Sequence, residues 1–270
     1  MTGPTETTTT PTTTTPTTTT PTTTAPDARR RTTALVTGGN KGIGYAIAAG
    51  LGALGWRVGV GARDDGRREA AVTALRAEGV DAFGVPLDVT DDASVAAAAR
   101  LLEEQEGGLD VLVNNAGITG GLPQEPTRVS PEQLRAVVET NVIGVVRVTN
   151  AVLPLLRRSP SPRVVTMSSG VGSLARQSAT TDELSTGPIS GAYSPSKTFL
   201  NAVVVQYAKE LAGSGILVNL ACPGFVATDL NGFRGVRTPE QGAAVAIRLA
   251  TLPDDGPSGG YFEDAGAIPW

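Results

Sequence analysis

The chain has 270 residues, with no histidine and one cysteine, Cys222. This composition excludes Ser-His-Asp and Cys-His catalysis, histidine-bound haem, internal disulfides and four-cysteine metal sites, and we expect no metal. A formal net charge of −4 argues against nucleic-acid or anionic-membrane partners. The single cysteine fits a reducing, cytoplasmic setting. Proton transfer near neutral pH would depend on Tyr, Lys, Asp, Glu or water.

Residues 1–31 form a Thr/Pro-rich tail, with Pro11, Pro16, Pro21 and Pro26 at five-residue spacing. The tail has no apolar periodicity, so we expect it to be disordered. The tail lacks the apolar region of a secretory signal. The sequence contains no run of 18 uncharged apolar residues, so no membrane span is predicted. A glycosylated stalk on an anchored protein is the alternative interpretation.

Residues 32–270 alternate short apolar runs with longer Ala/Leu-rich runs. Strands are predicted at Thr33–Thr37, Arg57–Ala62, 82–87, Val111–Asn114, Arg163–Met167, Leu217–Ala221 and 260–262. Helices are predicted at 42–54, 66–79, 91–106, 131–157, 194–213 and 239–251. Continuously apolar strands are typical of a parallel sheet covered on both faces. The pattern predicts an α/β fold: one Rossmann-type doubly wound domain with a seven-stranded, mainly parallel sheet and helices on both faces.

The first strand runs into a glycine-rich turn that opens the first helix, Thr37-Gly38-Gly39-Asn40-Lys41-Gly42-Ile43-Gly44. Glycines let backbone N–H groups approach a phosphate, and the helix N-terminus adds partial positive charge. This strand–turn–helix context predicts a dinucleotide site. The turn residues predicted to contact the cofactor are Gly38, Asn40, Lys41, Gly42, Ile43 and Gly44.

The turn has the form T-G-x-x-x-G-x-G, and here the chain resembles the classical short-chain dehydrogenase/reductase family. The specific form Thr-Gly-Gly-Asn-Lys-Gly-Ile-Gly resembles the NADPH-dependent carbonyl-reductase branch. Further motifs follow in the family's order, so the resemblance covers essentially all of residues 32–270.

The residues after the second strand bear on the choice of cofactor. In NAD sites an acidic residue about 20 positions past the glycines binds the ribose 2′-hydroxyl. That place holds Ala62, followed by Arg63. Arginine pairs with a 2′-phosphate, which an acid would repel, and the resemblance adds Lys41 as a second positive charge. NADP(H) is therefore expected, and the alternative is NAD(H) bound by Asp64.

The resemblance implies further cofactor contacts at the ends of later strands. Asp88 matches the family position beside the adenine, although it could instead cap the helix expected at 91. The other positions implied are Val89, Asn115, Ala116, Gly117, Pro223, Gly224, Val226 and Thr228. We interpret the neighbouring Cys222 as a packing residue rather than a reactive thiol.

The strongest chemical pattern is Tyr193-Ser194-Pro195-Ser196-Lys197, because residues four apart share one helix face. A nearby ammonium lowers the pKa of tyrosine and makes it a better acid–base catalyst. By resemblance, Tyr193 donates a proton to the substrate carbonyl, and Lys197 lowers the Tyr193 pKa and binds the cofactor ribose. The resemblance also implies Ser169, rather than Ser168, as the serine that binds the carbonyl, and Asn141 as the residue that holds a relay water.

These residues predict an NADPH-dependent enzyme that reversibly reduces a ketone or aldehyde. The alternative is a non-catalytic NADP(H)-binding sensor, although a sensor has no need of all four catalytic groups. The expected partner is a small carbonyl or alcohol substrate, for which Arg128 and Arg176 are candidate anchors. The stretch from Ser169 to Tyr193 is longer than in the compact members of the family it resembles, and the surplus includes Arg176 to Pro188. This insertion leaves homodimer, homotetramer and monomer open.

Overall fold

The computed structural model describes residues 1–6, 31–179 and 187–270. Two compact units divide the chain, Met1–Arg30 and Arg31–Trp270. In the first unit, residues 1–6 are exposed and without regular secondary structure. The disorder predicted for the rest of the tail, and most of the insertion before Pro188, lie outside the described residues. Arg31, counted above with the tail, forms an ion pair with Asp81 at 2.9 Å.

The second unit contains one eight-stranded sheet with the order β3-β2-β1-β4-β5-β6-β7-β8. The strands are β1 (Thr33–Thr37), β2 (Arg57–Ala62), β3 (Asp81–Pro86), β4 (Val111–Asn114), β5 (Arg163–Met167), β6 (Leu217–Ala221), β7 (Tyr261–Glu263) and β8 (Gly266–Ala267). All neighbouring pairs are parallel except β7 and β8. The doubly wound fold is confirmed, with β8 as one short strand more than expected. The two-residue β8 has too little sequence to carry a strand pattern.

The helices are α1 (Gly42–Ala53), α2 (Asp65–Ala77), α3 (Asp92–Glu106), α4 (Pro131–Val138), α5 (Gly144–Leu156), α6 (Leu174–Ser178), α7 (Tyr193–Glu210) and α8 (Pro239–Ala250). The helix predicted at 131–157 is interrupted by a π-helical turn, Glu139–Ile143. Such turns insert one extra residue into a helix and frequently lie at functional sites. The five-residue α6 is too short to show a helical period.

Two hydrophobic cores lie on opposite faces of the sheet. Side chains along β1 alternate between them: Ala34 and Val36 pack with α1, α2 and α8, whereas Leu35 packs with α3, α5 and α7. This alternation is the two-residue period of a strand that is buried on both faces. The winding direction reverses between β1 and β4, which opens a crevice at the carboxyl ends of these two strands.

By length and composition, one described helical segment, Pro131–Leu156, could cross a membrane. The same segment supplies Val145, Val148 and Val152 to the core beneath the sheet. Core helices of soluble proteins pass the same test, so this finding is weak evidence for a membrane span.

Arg163 at the start of β5 joins the sheet to the end of α8. Its side chain is 2% exposed and donates to the Leu252 carbonyl at 2.7 and 3.1 Å, to the Pro162 carbonyl at 2.9 Å and to Asp254 at 2.7 Å. A buried carbonyl that loses its donor carries a desolvation cost.

We predict that Arg163→Leu lowers the free energy of unfolding by about 2–3 kcal/mol, because Leu252 loses both donors. Urea denaturation measures the change. The matched control is Arg158→Leu, since Arg158 pairs with Glu103 where both side chains are more than half exposed, and it should change stability by less than about 0.5 kcal/mol. Equal effects of the two substitutions would contradict the structural role of Arg163.

Candidate functional site

The crevice is formed where the end of β1 contacts the end of β4. The Thr37 hydroxyl accepts hydrogen bonds from the backbone N–H of Asn115 at 2.9 Å and of Ala116 at 3.0 Å. The Asn115 side chain donates in return to the carbonyls of Thr37 at 2.9 Å and Gly38 at 3.2 Å. Asn115 and Ala116 therefore hold the glycine turn against the central strand.

Gly38 and Gly44 of the glycine turn occupy positions that do not suit a side chain. Gly38 has φ +63°, a left-handed conformation that glycine adopts without strain. A Cβ on Gly44 would lie 2.3 Å from the Gly38 carbonyl and 2.4 Å from the Asn115 side-chain nitrogen. No side chain caps the N-terminus of α1 within the described residues, so backbone N–H groups of its first turn remain available to an anion.

The loop after β6 reaches the same turn. The Thr228 methyl group lies 3.2 Å from the position of a Cβ on Gly42, and Lys41 forms an ion pair with Asp229. Lys41, predicted to bind the cofactor, is thus paired with a carboxylate on the opposite side of the crevice. Both side chains are about half exposed, so this pair contributes little to stability. Asn40 and Ile43 are half-buried beside Lys41.

Arg63 and Asp64 have separate surroundings after β2. Asp64 caps α2 and accepts a hydrogen bond from the Arg67 N–H at 2.8 Å. Arg63 is exposed and makes no hydrogen bond or ion pair with residues 31–179 or 187–270, although its charge helps to lower the pKa of Asp88. The capping role of Asp64 disfavours the NAD(H) alternative, whereas Arg63 is available to a ligand.

Asp88 does not cap the following helix, which is the role of Asp91. The Asp88 carboxylate accepts from the Thr90 N–H at 2.9 Å and the Thr90 hydroxyl at 2.7 Å. These hydrogen bonds lower its pKa, with a smaller contribution from Arg63. Asp88 is therefore a half-buried anion at the end of β3. Val89 beside it is buried, and its carbonyl accepts from Arg147 at 2.7 Å.

Tyr193 and Ser169 meet across the crevice. Tyr193 is the first residue of α7, and its hydroxyl is hydrogen-bonded to the Ser169 side chain. Ser168 is 3% exposed, and its hydroxyl donates to the Asn201 side chain at 2.6 Å. Of the two serines at the end of β5, the geometry therefore favours Ser169 as the partner of Tyr193.

Lys197 lies one helical turn beyond Tyr193. Its ammonium donates to the Met167 carbonyl at 2.8 Å and lies 5.6 Å from the centroid of the Tyr193 ring. Burial lowers the pKa of Lys197 to about 8. It also raises the pKa of Tyr193 to about 12, against the hydrogen bond from Ser169, which lowers it.

The lowered Tyr193 pKa expected from the Tyr-x3-Lys pattern is therefore wrong. Loss of hydration disfavours the charged tyrosinate by more than the surroundings stabilise it. At neutral pH the pair is a neutral, protonated tyrosine beside a lysine that is mostly charged. Such a tyrosine can donate a proton but is a poor base.

Asn141 lies in the π-helical turn and is fully buried. Its amide donates to the Ile118 carbonyl at 2.9 Å and to Ser196 at 3.0 Å, and its side-chain oxygen accepts from the Ile118 N–H at 2.8 Å. A Cβ on Gly117 would lie 3.3 Å from that oxygen and 3.8 Å from the Lys197 nitrogen. Asn141 and Lys197 therefore meet at Gly117, and the extra residue of the π turn lies at this point.

The Pro223–Gly224 segment follows β6 beneath the same crevice. Gly224 has φ +74° and Val226 is 4% exposed, forming a backbone bridge to Arg237. Cys222 is buried, and burial raises the pKa of its thiol, which agrees with a packing role. Pro223 and Val226 both pack against Gly242 of α8.

The two candidate substrate anchors are engaged elsewhere. Arg176 pairs with Glu263 through two contacts of 2.6 and 3.0 Å, and Arg128 pairs with Glu125 at 3.2 Å. Neither geometry singles out a substrate group.

Sequence reasoning missed several residues of the site. Asp229 pairs with Lys41, Ser196 binds Asn141, and the Tyr261 hydroxyl donates to the Ser169 carbonyl. Ser196 falls inside the Tyr193–Lys197 motif and could have been noticed there. Asp229 and Tyr261 have no motif that points to the site, because only the fold brings them to it.

A family model described as short chain dehydrogenase matches residues 32–236. The chain is 38% identical over 225 residues to the short-chain dehydrogenase anuI of Penicillium roqueforti, covering 80% of this chain and 87% of that protein. It is 36% identical over 276 residues to carbonyl reductase (NADPH) 1 of Homo sapiens, covering 88% and 98% of the two chains.

Solved structures agree with these relatives. Salutaridine reductase from Papaver somniferum has a TM-score of 0.74 and 33% identity, over 87% of this chain and all of that one. An actinorhodin polyketide ketoreductase with NADPH has a TM-score of 0.75 and 31% identity, over 87% and 96% of the two chains. The doubly wound sheet, the glycine turn and these similarities together identify the chain as a member of the short-chain dehydrogenase/reductase family, similar to the carbonyl reductases.

Proposed function

We propose that this protein is an NADPH-dependent reductase of ketone or aldehyde carbonyls, with Tyr193 as the proton donor. The observation that carries the proposal is the placement of the Tyr193 hydroxyl, which is hydrogen-bonded to Ser169 and lies on the same helix face as the buried Lys197. Two hydroxyl groups beside a positive charge are suited to polarise a carbonyl oxygen and protonate the alkoxide that forms from it.

The names of the relatives support the substrate class. One similar protein is a carbonyl reductase, and two similar structures are a reductase and a polyketide ketoreductase. All three names describe reduction rather than oxidation.

We also propose a cytoplasmic setting, because the lone Cys222 needs no oxidising compartment.

The residues present fit NADPH. The side-chain-free contact between Gly38 and Gly44 and the uncapped start of α1 suit a pyrophosphate. Arg63, exposed and without a hydrogen bond to the described residues, suits a 2′-phosphate. Asp88, Asn115, Ala116 and Gly117 border the same crevice, and Lys197 would hold the ribose.

When bound, NADPH supplies a hydride. In the proposed reaction Ser169 and Tyr193 orient the carbonyl by hydrogen bonds to its oxygen, and Tyr193 transfers its proton to that oxygen as negative charge develops. Lys197 stabilises the resulting tyrosinate by its charge. Asn141 holds the Ile118 backbone beside Lys197 and so shapes the path by which the proton is replaced.

The pKa values favour reduction over the reverse reaction near neutral pH. Reduction needs Tyr193 protonated, and a pKa of about 12 keeps it so. Alcohol oxidation would need the tyrosinate, which burial disfavours. The proposed reaction remains reversible in principle, with oxidation favoured only at alkaline pH.

Tyr193→Phe is predicted to lower kcat for a ketone or quinone panel by at least about 100-fold, because the proton donor is lost. The Kd for NADPH, measured by fluorescence titration, should change less than twofold. Tyr207→Phe is the matched control on the same helix, because the Tyr207 hydroxyl lies away from the crevice and donates to the Asn150 side chain at 2.7 Å. Retained turnover in Tyr193→Phe would overturn the mechanism, and a wild-type protein that binds NADPH without any turnover would favour the sensor.

The pH dependence of kcat tests Lys197. A pKa of about 8 means that Lys197 is charged below this pH and loses its charge as the pH rises through it. We expect the reduction kcat to fall above about pH 8, while Tyr193 stays protonated across that range. Lys197→Arg should move the fall to higher pH, and Lys209→Arg, exposed at the end of α7, should not. A wild-type kcat that is constant from pH 6 to 10 would count against a charged Lys197.

Cofactor selectivity tests Arg63. Arg63→Asp should weaken NADPH binding by about 100-fold, because a bidentate cation–phosphate pair becomes a repulsive one, and should improve binding of NADH. Asp64→Asn retains a capping side chain and should leave both Kd values unchanged. Loss of NADH affinity in Asp64→Asn, with no effect of Arg63→Asp, would support the NAD(H) alternative instead.

A further inference from the structure

The backbone carbonyl of Ser169 accepts a hydrogen bond from Tyr261 of β7. The Tyr261 side chain is 1% exposed, and its hydroxyl donates to the Ser169 carbonyl. The same carbonyl accepts from the Gly172 N–H at 2.7 Å. The Ser169 peptide therefore has two donors that approach from different elements, a strand and the turn that follows the serine.

A buried polar cluster surrounds this contact. Besides its bond to Ser169, the Tyr261 hydroxyl interacts with the side chains of Ser168 and Asn201. Ser168 donates to Asn201 at 2.6 Å, and Asn201 donates to the Gly172 carbonyl at 3.3 Å. The cluster thus binds the chain before, at and after Ser169.

The ring of Tyr261 is held in place as well. It stacks on Trp270, with ring centroids 5.6 Å apart. The Trp270 carbonyl accepts from the Ala175 N–H at 2.8 Å, and the Pro269 carbonyl accepts from Ser173 at 2.6 Å. Residues 269–270 are therefore fastened to the segment that follows Ser169, and the stacked ring has little freedom to swing the hydroxyl away.

Burial raises the pKa of Tyr261 well above its ordinary value, so the hydroxyl stays protonated and able to donate. Since Ser169 has extended backbone angles of −159° and 146°, the direction of its side chain depends on the orientation of the flanking peptides. An error of about 1 Å in the placement of a reacting group can cost about 100-fold in rate.

We propose that Tyr261 is a positioning residue for the reduction: its hydroxyl orients the Ser169 peptide so that the serine side chain meets the Tyr193 hydroxyl and the substrate carbonyl. This inference rests on the function proposed above, in which Ser169 binds the carbonyl oxygen. The Tyr261 hydroxyl donates to none of the four predicted catalytic side chains and to none of the residues predicted to bind the cofactor. It acts through the Ser169 backbone carbonyl.

The experiment compares kcat and KM for wild type, Tyr261→Phe, Ser169→Ala and the double variant, with NADPH and one reducible ketone or quinone. Tyr261→Phe keeps the stacked ring and removes the hydroxyl. We expect its kcat to fall about 10-fold, with the KM for NADPH unchanged. In the Ser169→Ala background the same substitution should cost less than twofold, because there is no serine hydroxyl left to position. Tyr207→Phe should leave kcat unchanged.

Three outcomes would overturn the inference or separate it from the proposed function. Equal fold losses from Tyr261→Phe in both backgrounds would show a general structural effect and reject a positioning role. Unchanged kcat in Tyr261→Phe, with a large loss in Ser169→Ala, would reject the inference and leave the proposed function standing. Unchanged kcat in Ser169→Ala would reject the role of Ser169 on which both depend.

A second variant guards against misfolding. Trp270→Ala removes the stacking partner of Tyr261 at a half-exposed position, so the hydrophobic core that contains Leu35 and Tyr261 stays filled. It should lower kcat by a smaller factor than Tyr261→Phe does, again only where Ser169 is present. If Tyr261→Phe fails to fold, an equal loss from Trp270→Ala with and without Ser169 would reject the positioning role.

Discussion

The contact between Thr37 and the Asn115–Ala116 backbone is the constraint on which the site depends. It joins the two strands between which the winding reverses, and it holds the glycine turn open toward the crevice. In a parallel sheet the carboxyl ends of all the strands lie on one side, so the residues that follow different strands can meet there. On this side of the sheet Lys41 pairs with Asp229. Asn141 and Lys197 meet at Gly117 on the same side.

Burial, more than charge, decides the protonation states of the reacting groups. The same loss of hydration that raises the Tyr193 pKa to about 12 lowers that of Lys197 to about 8. Both shifts favour the neutral form of each group. Near neutral pH the tyrosine is therefore protonated. The lysine still carries most of its charge, because its lowered pKa remains above 7.

The site is also supported from outside its motifs. The π-helical turn gives Asn141 its place next to Gly117, and the last strands of the sheet bring Tyr261 beneath Ser169. Buried hydrogen-bonded groups of this kind keep reacting side chains within the narrow tolerance that catalysis needs. All seven predicted strands lie within one residue of the observed bounds at both ends, because their apolar runs are continuous and sharply bounded. The π turn and β8 were not predicted, because neither leaves a periodic pattern.

The sequence by itself determined the fold class, the glycine turn and the Tyr193–Lys197 spacing, since each depends on residues close together in the chain. It also determined that Arg63, and not an acid, follows the second strand. Only the tertiary structure decided that the Ser168 hydroxyl is engaged by Asn201, that Asp64 serves as a helix cap, and that the Tyr193 pKa is raised rather than lowered. The physical reason is that hydration and side-chain direction depend on neighbours distant in the chain, such as Asn201 and Tyr261, which only the folded chain brings together.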